Sequence, residues 1–303
     1  MSEQRIALVT GGTGFVGSNL VRRLMSEGWE THIIVRKGSD LSILSGVEKI
    51  IHVHLHDGST ERLFEIVKVV SPQVVFHLAS LFLAQHTSQD IERLIHSNLL
   101  FSTQLAEAMS ANGVRSLVNT GTSWQHYENK DYSPVCLYAA TKQAFESILE
   151  YYIEAKCLKV ITLKLFDTYG PNDPRPKLFH LLEKLSKTKE PLSMSPGEQL
   201  IDIVHVEDVI NTYLIAAERL LTDQVGNHEL YAVSSGNPIS LKELASVYEN
   251  VTNTKLPIQW GGRPYRDREV METWTNGEIM PGWKPTITLD AGIKQMVRQS
   301  YSK

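Results

Sequence analysis

Cysteine and long apolar runs are both scarce in this chain of 303 residues. Its two cysteines, Cys136 and Cys157, cannot build a disulfide framework, and their spacing does not suit a metal site. Reduced thiols in a cytoplasmic protein are therefore expected. The apolar run at residues 6–9 is too short for a signal peptide, and no run approaches the ~20 residues of a membrane span. The sequence thus predicts a cytoplasmic protein without a membrane partner.

An excess of positive charge is also missing, because 30 lysines and arginines stand against 34 acidic residues. The formal net charge of -4 offers no broad basic surface for nucleic acid or anionic lipid. The content of 42% hydrophobic and 21% charged residues is typical of a soluble globular enzyme. The length permits one large domain with a smaller partner.

Short apolar runs alternate with segments of helical periodicity along the first half of the chain. The predicted strands are 6–10, 31–36, 50–55, 74–79, 117–120 and 160–165, and the predicted helices between them include 15–27, 90–112 and 137–155. Further strands at 201–206 and 229–234 flank a helix at 207–221. Such alternation indicates an α/β fold, a Rossmann-type doubly wound parallel sheet. We expect a dinucleotide-binding domain at 1–165, to which 201–240 returns, and a smaller, partly interleaved C-terminal substrate region at 166–200 and 241–303.

A glycine-rich turn connects the first predicted strand to the first predicted helix. Its residues are Gly11, Gly12, Thr13, Gly14, Phe15, Val16 and Gly17. Glycines permit a tight turn and let backbone N–H groups approach a diphosphate, while the helix N-terminus adds partial positive charge. In this position the motif predicts dinucleotide binding.

The choice of dinucleotide is read at the end of the second strand, where an acidic residue would bind the ribose 2′-hydroxyl of NAD. This chain has Arg36 and Lys37 there, which would attract a 2′-phosphate. NADP(H) is therefore favoured, and NAD(H) stays possible. Asp57, followed by Gly58, lies at the end of the third strand and is placed for the adenine edge.

Three histidines recur at every second position of the third strand, namely His52, His54 and His56. They share one face, so we considered a metal site. No thiolate is near in the sequence, and that face is expected to pack or to contact solvent. We therefore predict no metal.

Tyr138 and Lys142 lie four residues apart on a predicted helix, which brings both onto one face. A neighbouring ammonium is expected to lower the pKa of the phenol from about 10 towards neutrality. The phenol could then donate a proton to a carbonyl oxygen during hydride transfer. A hydroxyl at the end of the fifth strand would orient that oxygen. We favour Thr122 for this role, and Ser123 stays an alternative.

Together these motifs resemble the extended short-chain dehydrogenase/reductase superfamily, the NAD-dependent epimerase/dehydratase family, over nearly the whole chain. Further matches are the stretches 169–171, 202–208 and 282–285. The resemblance implies a nucleotide-sugar substrate, a homodimer formed by the helices at 90–112 and 137–155, and a cofactor site. Its implied cofactor residues are the turn, Arg36, Lys37, Asp57, Gly58, Leu78, Ala79, Ser80, Asn98, Tyr138 and Lys142. Its implied substrate residues are Leu81, Trp124, Asp167, Lys177, Arg263 and Arg266.

Within that family, residues 121–127 and Arg36 most resemble sugar-nucleotide 4-ketoreductases of the CDP-abequose synthase type. This implies NADPH-dependent reduction of a CDP-, dTDP- or UDP-linked 4-keto-deoxysugar. An NAD-dependent epimerase is the alternative; a dehydratase is disfavoured because Trp124 and Gln125 are not acidic. The third hypothesis is a non-catalytic regulator, which is disfavoured because the chain retains the Tyr138/Lys142 pair. Lys164 and Asp167 depart from the family's usual Arg and Asn, and Leu200 from its usual Arg.

Overall fold

The structure, a computed structural model, describes residues 4–300. The predicted domains' outermost residues, 1–3 and 301–303, lie outside that range. Within it, a seven-stranded parallel sheet has the order β3-β2-β1-β4-β5-β6-β11. Its strands are β1 (Ile6–Thr10), β2 (Glu30–Arg36), β3 (His52–His56), β4 (Val74–His77), β5 (Ser116–Thr122), β6 (Lys159–Leu165) and β11 (His228–Val233). The order reverses between β1 and β4, where doubly wound folds bind dinucleotides. The predicted Rossmann-type sheet is confirmed.

Helices cover both faces of this sheet, as parallel strands buried on two sides require. The helices are α1 (Phe15–Ser26), α2 (Thr60–Val70), α3 (Ile91–Ile95), α4 (Phe101–Ala111), α5 (Leu137–Lys156), α6 (Leu178–Thr188), α7 (Val206–Leu221), α8 (Leu241–Thr252) and α9 (Leu289–Ser300). One core contains side chains of α1 and α7, and another those of α2, α4 and α5. Among the described residues, no helix combines the length and apolar character needed to cross a bilayer.

A third, smaller core joins α6, α8 and α9 beyond the carboxyl edge of the sheet. Its buried members are Tyr169, Phe179, Leu182, Leu244, Tyr248 and Ile293. Short strands complete this region: β7 (Asp167–Tyr169), β8 (Leu192–Ser193), β9 (Leu200–Ile201), β10 (Ile203–His205), β12 (Ile239–Ser240) and β13 (Ile258–Gln259). This region places a second wall opposite the ends of the parallel strands.

Two predicted elements differ from the structure. The strand predicted at 201–206 is divided at Asp202, because β9 pairs with β12 and β10 pairs with β7 in separate sheets. The buried Asp202 carboxylate accepts hydrogen bonds from the Ser234 hydroxyl and the Ser235 N–H. The helix predicted at 90–112 begins as a 3₁₀ turn and contains a π turn at His96–Leu100 between α3 and α4. The π turn carries Asn98, and π turns often occur at functional sites.

Asp208, in the stretch 202–208, and Trp283, in the stretch 282–285, connect α7 to the C-terminal segment. The Asp208 carboxylate on α7 accepts hydrogen bonds from the Thr286 hydroxyl and the Ile287 N–H. The indole N–H of Trp283 donates to the Asp208 carbonyl. Buried polar groups need such partners, so these residues hold the C-terminal segment against the sheet.

Candidate active site

The glycine turn packs too closely for any side chain at two of its positions. Gly11 has φ +73°, and a Cβ there would lie 2.6 Å from the Ala79 nitrogen. A Cβ on Gly17 would lie 2.1 Å from the Gly11 carbonyl oxygen. Glycine is required at both positions because no larger residue fits. The first turn of α1 therefore approaches β1 and the loop after β4 closely.

The N-terminus of α1 is prepared for an anion. Gly14 is its N-cap, no described side chain caps it, and its first turn carries no acidic residue. The guanidinium of Arg175 lies 4.5 Å from the centre of the Phe15 ring, and it is paired with the Asp173 carboxylate at 2.6 Å. The unpaired N–H groups of the first turn and the helix dipole together fit a dinucleotide diphosphate. Arg175 was not identified from the sequence, since its nearness to Phe15 depends on the C-terminal region.

The residues predicted to bind the adenosine half end two neighbouring strands. Arg36 and Lys37 are exposed at the end of β2, next to the end of β3. Asp57 accepts hydrogen bonds from the Ser59 hydroxyl at 2.7 Å and the Ser59 N–H at 2.9 Å, and these bonds lower the pKa of its carboxyl. Gly58 follows with φ +103°, which glycine adopts readily. Asp57 and Gly58 are exposed in the loop after β3. Because β1, β2 and β3 are parallel, this loop lies at the same edge of the sheet as the glycine turn.

Asn98 holds the loop after β4 rather than facing outward. Its side chain is 1% exposed. Its Oδ1 atom accepts from the Leu81 N–H at 2.7 Å and the Ser80 hydroxyl at 3.1 Å, while its amide group donates to the Leu81 carbonyl and to Thr141. Every polar group of the amide is thus engaged by protein. Asn98 thereby holds Ser80 and Leu81 in place, and its contact with a cofactor stays a prediction.

The hydroxyl groups of Ser80 and Thr122 lie close enough to the phenol of Tyr138 to lower its pKa. Burial raises the pKa of Tyr138 above its ordinary value, and the hydrogen bonds with the two hydroxyls oppose that shift without cancelling it. The expectation that Lys142 lowers this pKa towards neutrality is therefore wrong for this structure, because desolvation disfavours the phenolate more strongly. The phenol is a protonated donor at neutral pH.

Lys142 lies one helical turn beyond Tyr138 and is 3% exposed. Burial lowers the pKa of Lys142 to about 8, and the nearby Glu146 carboxylate opposes this shift. Loss of hydration destabilises an ammonium that has no carboxylate in direct contact. The residue is therefore close to its titration point at physiological pH.

Thr122 and Ser123 have different surroundings. Thr122 ends β5, is 7% exposed, and its hydroxyl contacts Tyr138 and accepts from the Trp124 N–H at 3.3 Å. Ser123 is half-buried and lines a cavity of about 830 Å³. The geometry favours Thr122 as the hydroxyl that acts with the phenol.

Most residues predicted for the substrate line two adjoining cavities of about 600 and 830 Å³. Trp124, Asp167, Lys177 and Arg266 line both, and Arg263 lines the larger. The Lys177 ammonium lies 3.5 Å from the Asp167 carboxylate, and Arg266 binds Glu269 through two nitrogens at 3.0 and 2.7 Å. The backbone N–H and carbonyl of Leu81 bond to the Asn98 side chain. The cleft thus combines an aromatic wall with cations already held by acids.

Phe82, which was not predicted, connects the substrate cleft to the phenol. Its ring meets Tyr138 edge-on at 5.0 Å and lies 5.5 Å from the Trp124 ring. The Lys177 ammonium lies 4.9 Å from its centre. These contacts join residues from three loops, so spacing along the sequence gives no signal of them. Phe82 thus packs against the Tyr138 ring at the wall of the smaller cavity.

A buried polar network behind the site was also missed. Lys164 on β6 is 1% exposed, lies 3.2 Å from the Glu146 carboxylate, and contacts His126 Nε2 at 2.8 Å. The His126 ring stacks on Trp274 with centres 4.0 Å apart. Gln125 bonds both Glu146 and the Thr122 N–H. A lysine within an apolar strand was a usable signal, because a buried ammonium needs partners.

Comparison with known proteins identifies the family. Residues 7–230 match the model of the NAD dependent epimerase/dehydratase family. CDP-abequose synthase of Salmonella muenchen is 26% identical over 96% of both chains, and UDP-glucose 4-epimerase of Cyamopsis tetragonoloba is 25% identical over 100% of this chain and 95% of that one. The solved UDP-glucose 4-epimerase of Thermotoga maritima shares the fold, with a TM-score of 0.84 at 22% identity over 98% of this chain and 99% of that one. This chain therefore belongs to the NAD dependent epimerase/dehydratase family, as an enzyme of the extended short-chain dehydrogenase/reductase type.

Proposed function

We propose that this enzyme reduces the 4-keto group of a nucleotide-linked deoxysugar with NADPH. The observation that carries the proposal is the place of Tyr138: its ring meets Phe82 edge-on, Phe82 lines the smaller cavity with Lys177 and Arg266, and the Thr122 and Ser80 hydroxyls lie close to its phenol. A ketone whose oxygen approaches the phenol would accept its proton as the carbonyl carbon is reduced. Bound NADPH would supply the hydride.

The chain's own residues divide the remaining tasks. Tyr138 donates the proton from its hydroxyl, and Thr122 directs that hydroxyl and the substrate oxygen. Lys142 would hold the nicotinamide ribose with its ammonium group. Phe82 limits the access of water to the phenol, which strengthens the polar contacts around it. The glycine turn, the α1 N-terminus and Arg36 would hold the dinucleotide.

The surroundings of Gln125 favour reduction over dehydration. Family dehydratases commonly place an acid pair directly after the strand-five hydroxyl, and this chain has Trp124 and Gln125 nearby. Gln125 is fully buried and its amide is engaged by Thr122, Gln143 and Glu146. Neither Trp124 nor Gln125 can remove a proton from the sugar. The similarity to CDP-abequose synthases over nearly the full chain supports a ketoreductase.

Three cations support a diphosphate-containing substrate. Lys177 and Arg266 line both cavities, Arg263 lines the larger, and Trp124 offers a flat apolar surface for a sugar or a base. Arginine forks bind phosphate oxygens through paired N–H groups. Binding would exchange the contacts of Lys177 with Asp167 and of Arg266 with Glu269 for contacts with phosphate.

A 4-epimerase acting on an intact nucleotide sugar is the second candidate, because solved neighbours of the same fold are UDP-glucose 4-epimerases. An epimerase returns the hydride to its substrate, so it needs no net supply of NADPH. The test is an assay with CDP-, dTDP- and UDP-linked 4-keto-6-deoxyhexoses, with NADPH and NADH in parallel. Oxidation of one NADPH for each hydroxyl formed supports the reductase. Co-purified NAD together with 4-epimerisation of a UDP-hexose, without net oxidation, contradicts it.

We also propose that the enzyme is a homodimer. Four apolar side chains are exposed on the helices predicted to form the interface, namely Ile91, Ile95, Leu100 and Tyr151. Burying such a surface between two copies is favourable. Light scattering should give twice the chain mass of 34.1 kDa, and Ile95→Glu should give the single mass.

A further inference from the structure

An ionisable cluster lies on β2 and β3, on the sheet face covered by α2 and α4. Its members are Glu30, His32, His52 and His54. His32 is directly opposite His52 in the parallel register, and Glu30 precedes His32 by two residues, so the side chains share one face. The His32 and His52 rings are stacked, with centres 4.5 Å apart and planes 19° apart.

The ligand atoms of three of these residues converge. One carboxylate oxygen of Glu30 and one ring nitrogen each of His32 and His52 all lie within 4.8 Å of one another. A tetrahedral zinc ion holds two ring nitrogens ~3.3 Å apart, given Zn–N distances of ~2.0–2.1 Å. Because His52 is exposed, rotation of its side chain can close the difference. We propose that Glu30, His32 and His52 form a binding site for a divalent transition-metal ion such as Zn²⁺.

His54 supplies the outer contact that a metal-binding imidazole needs. The Nε2 atom of His32 faces the Glu30 carboxylate at 2.9 Å, and its Nδ1 atom faces His54 Nε2 at 2.9 Å. With Nε2 on the metal, the Nδ1–H group donates to His54 and fixes the orientation of the His32 ring.

The neighbouring groups are compatible with this site. Arg62 on α2 is the cation that acts on His54, and its guanidinium is already bound to the Leu55 carbonyl and the Glu65 carboxylate. His56, the third histidine of the sequence pattern, packs instead against the Phe101 ring, with centres 5.3 Å apart. The proposed site therefore contains His32 in place of His56, together with the Glu30 carboxylate. The spacing of the histidines on β3 did not indicate either residue.

Two imidazoles and one carboxylate favour zinc, nickel or copper over magnesium, which prefers oxygen ligands. Three protein ligands leave a position for water, and the exposed His52 places that position towards solvent. The ion would join β2 to β3, and it would stabilise the folded chain because the unfolded chain lacks the preformed site. This proposal does not depend on the enzyme's substrate.

Calorimetric titration of the full chain, without a histidine tag, with ZnCl₂ and separately with MgCl₂ tests the site. We expect one Zn²⁺ per chain, no comparable Mg²⁺ binding, and a zinc-dependent rise in Tm. His52→Ala and Glu30→Gln should each weaken zinc binding at least about tenfold, since even outer contacts contribute that much. His52 is exposed, so His52→Ala should fold, and circular dichroism checks this.

His228→Gln is the matched control, because His228 forms a separate pair with Glu150 at 2.9 Å on the opposite edge strand β11. Cys157→Ser tests the exposed thiol as a rival ligand. Zinc binding should be unchanged in both. Absence of stoichiometric zinc binding, or equal affinity of the native chain and both ligand variants, would overturn the proposal.

Discussion

The hydroxyl of Thr122, at the end of β5, lies close enough to the phenol of Tyr138, in the first turn of α5, to lower its pKa against the larger effect of burial. That single contact brings together a proton donor and the group that orients it, at the carboxyl edge where doubly wound sheets bind ligands. Ser123, the next residue, lies on the wall of the larger cavity. We therefore expect the two adjacent hydroxyl residues to have different roles.

Thr122→Val should lower kcat roughly 100-fold, because an oriented donor beside a developing oxyanion typically contributes that much. Valine keeps the shape and removes only the hydroxyl. Ser123→Ala is the matched control and should alter KM more than kcat. Steady-state kinetics of NADPH oxidation measures both. A larger loss of kcat in Ser123→Ala than in Thr122→Val would reverse the assignment.

The rate should fall as pH rises through about 8, where Lys142 loses its proton. Its pKa is lowered from the ordinary value, so the ammonium that would hold the cofactor ribose is present below that pH and lost above it. Glu146→Gln removes the charge that raises this pKa and should move the descending limb to lower pH. A pH profile of kcat/KM measures the limb.

Glu150→Gln, one turn further along α5, is the control for that profile and should leave the limb in place. If Glu146→Gln leaves the descending part of the pH profile in place, a group other than Lys142 titrates there.

Arg36→Ser should weaken NADPH binding roughly tenfold to 100-fold, because a charge-assisted hydrogen bond to phosphate contributes about 1.5–3 kcal/mol. NADH, which has no 2′-phosphate, should bind the variant and the native chain alike. Fluorescence titration measures both affinities. Arg23→Ser, which removes a cation paired with Glu27 on α1, should change neither. Equal loss for NADPH and NADH would contradict the predicted preference.

The principal features of the fold and of the cofactor turn could be predicted from local sequence. Buried parallel strands are continuous apolar runs, and Gly11 and Gly17 are glycines because the backbone allows nothing larger there. The i, i+4 spacing placed Tyr138 and Lys142 on one face of α5. These signals depend on neighbours along the chain, so periodicity and spacing reveal them.

The parts that were missed depend on contacts between distant segments. Phe82, Arg175 and Lys164 acquire their roles only when loops and strands far apart in sequence meet. The direction of the Tyr138 pKa shift was wrong for the same reason, since burial depends on what packs around the phenol. Spacing indicates which groups are near, and it does not indicate how much water they lose.

Lys164→Met should lower the free energy of unfolding by about 3 kcal/mol, because it leaves the buried Glu146 carboxylate and His126 without their cation. Adding Glu146→Gln in the double variant should recover part of that loss. Urea denaturation measures all three proteins. If the double variant is as unstable as the sum of the single ones, the two residues do not act as a pair.

The central claim is that the Tyr138 phenol protonates a ketone during hydride transfer from NADPH, and single-turnover reduction by Tyr138→Phe tests it most directly. Phenylalanine keeps the ring contact with Phe82 and removes only the hydroxyl. We expect the variant to lose at least about 100-fold in the rate of NADPH oxidation with a 4-keto nucleotide sugar, with NADPH affinity nearly unchanged. Reduction at the native rate in that variant would contradict it.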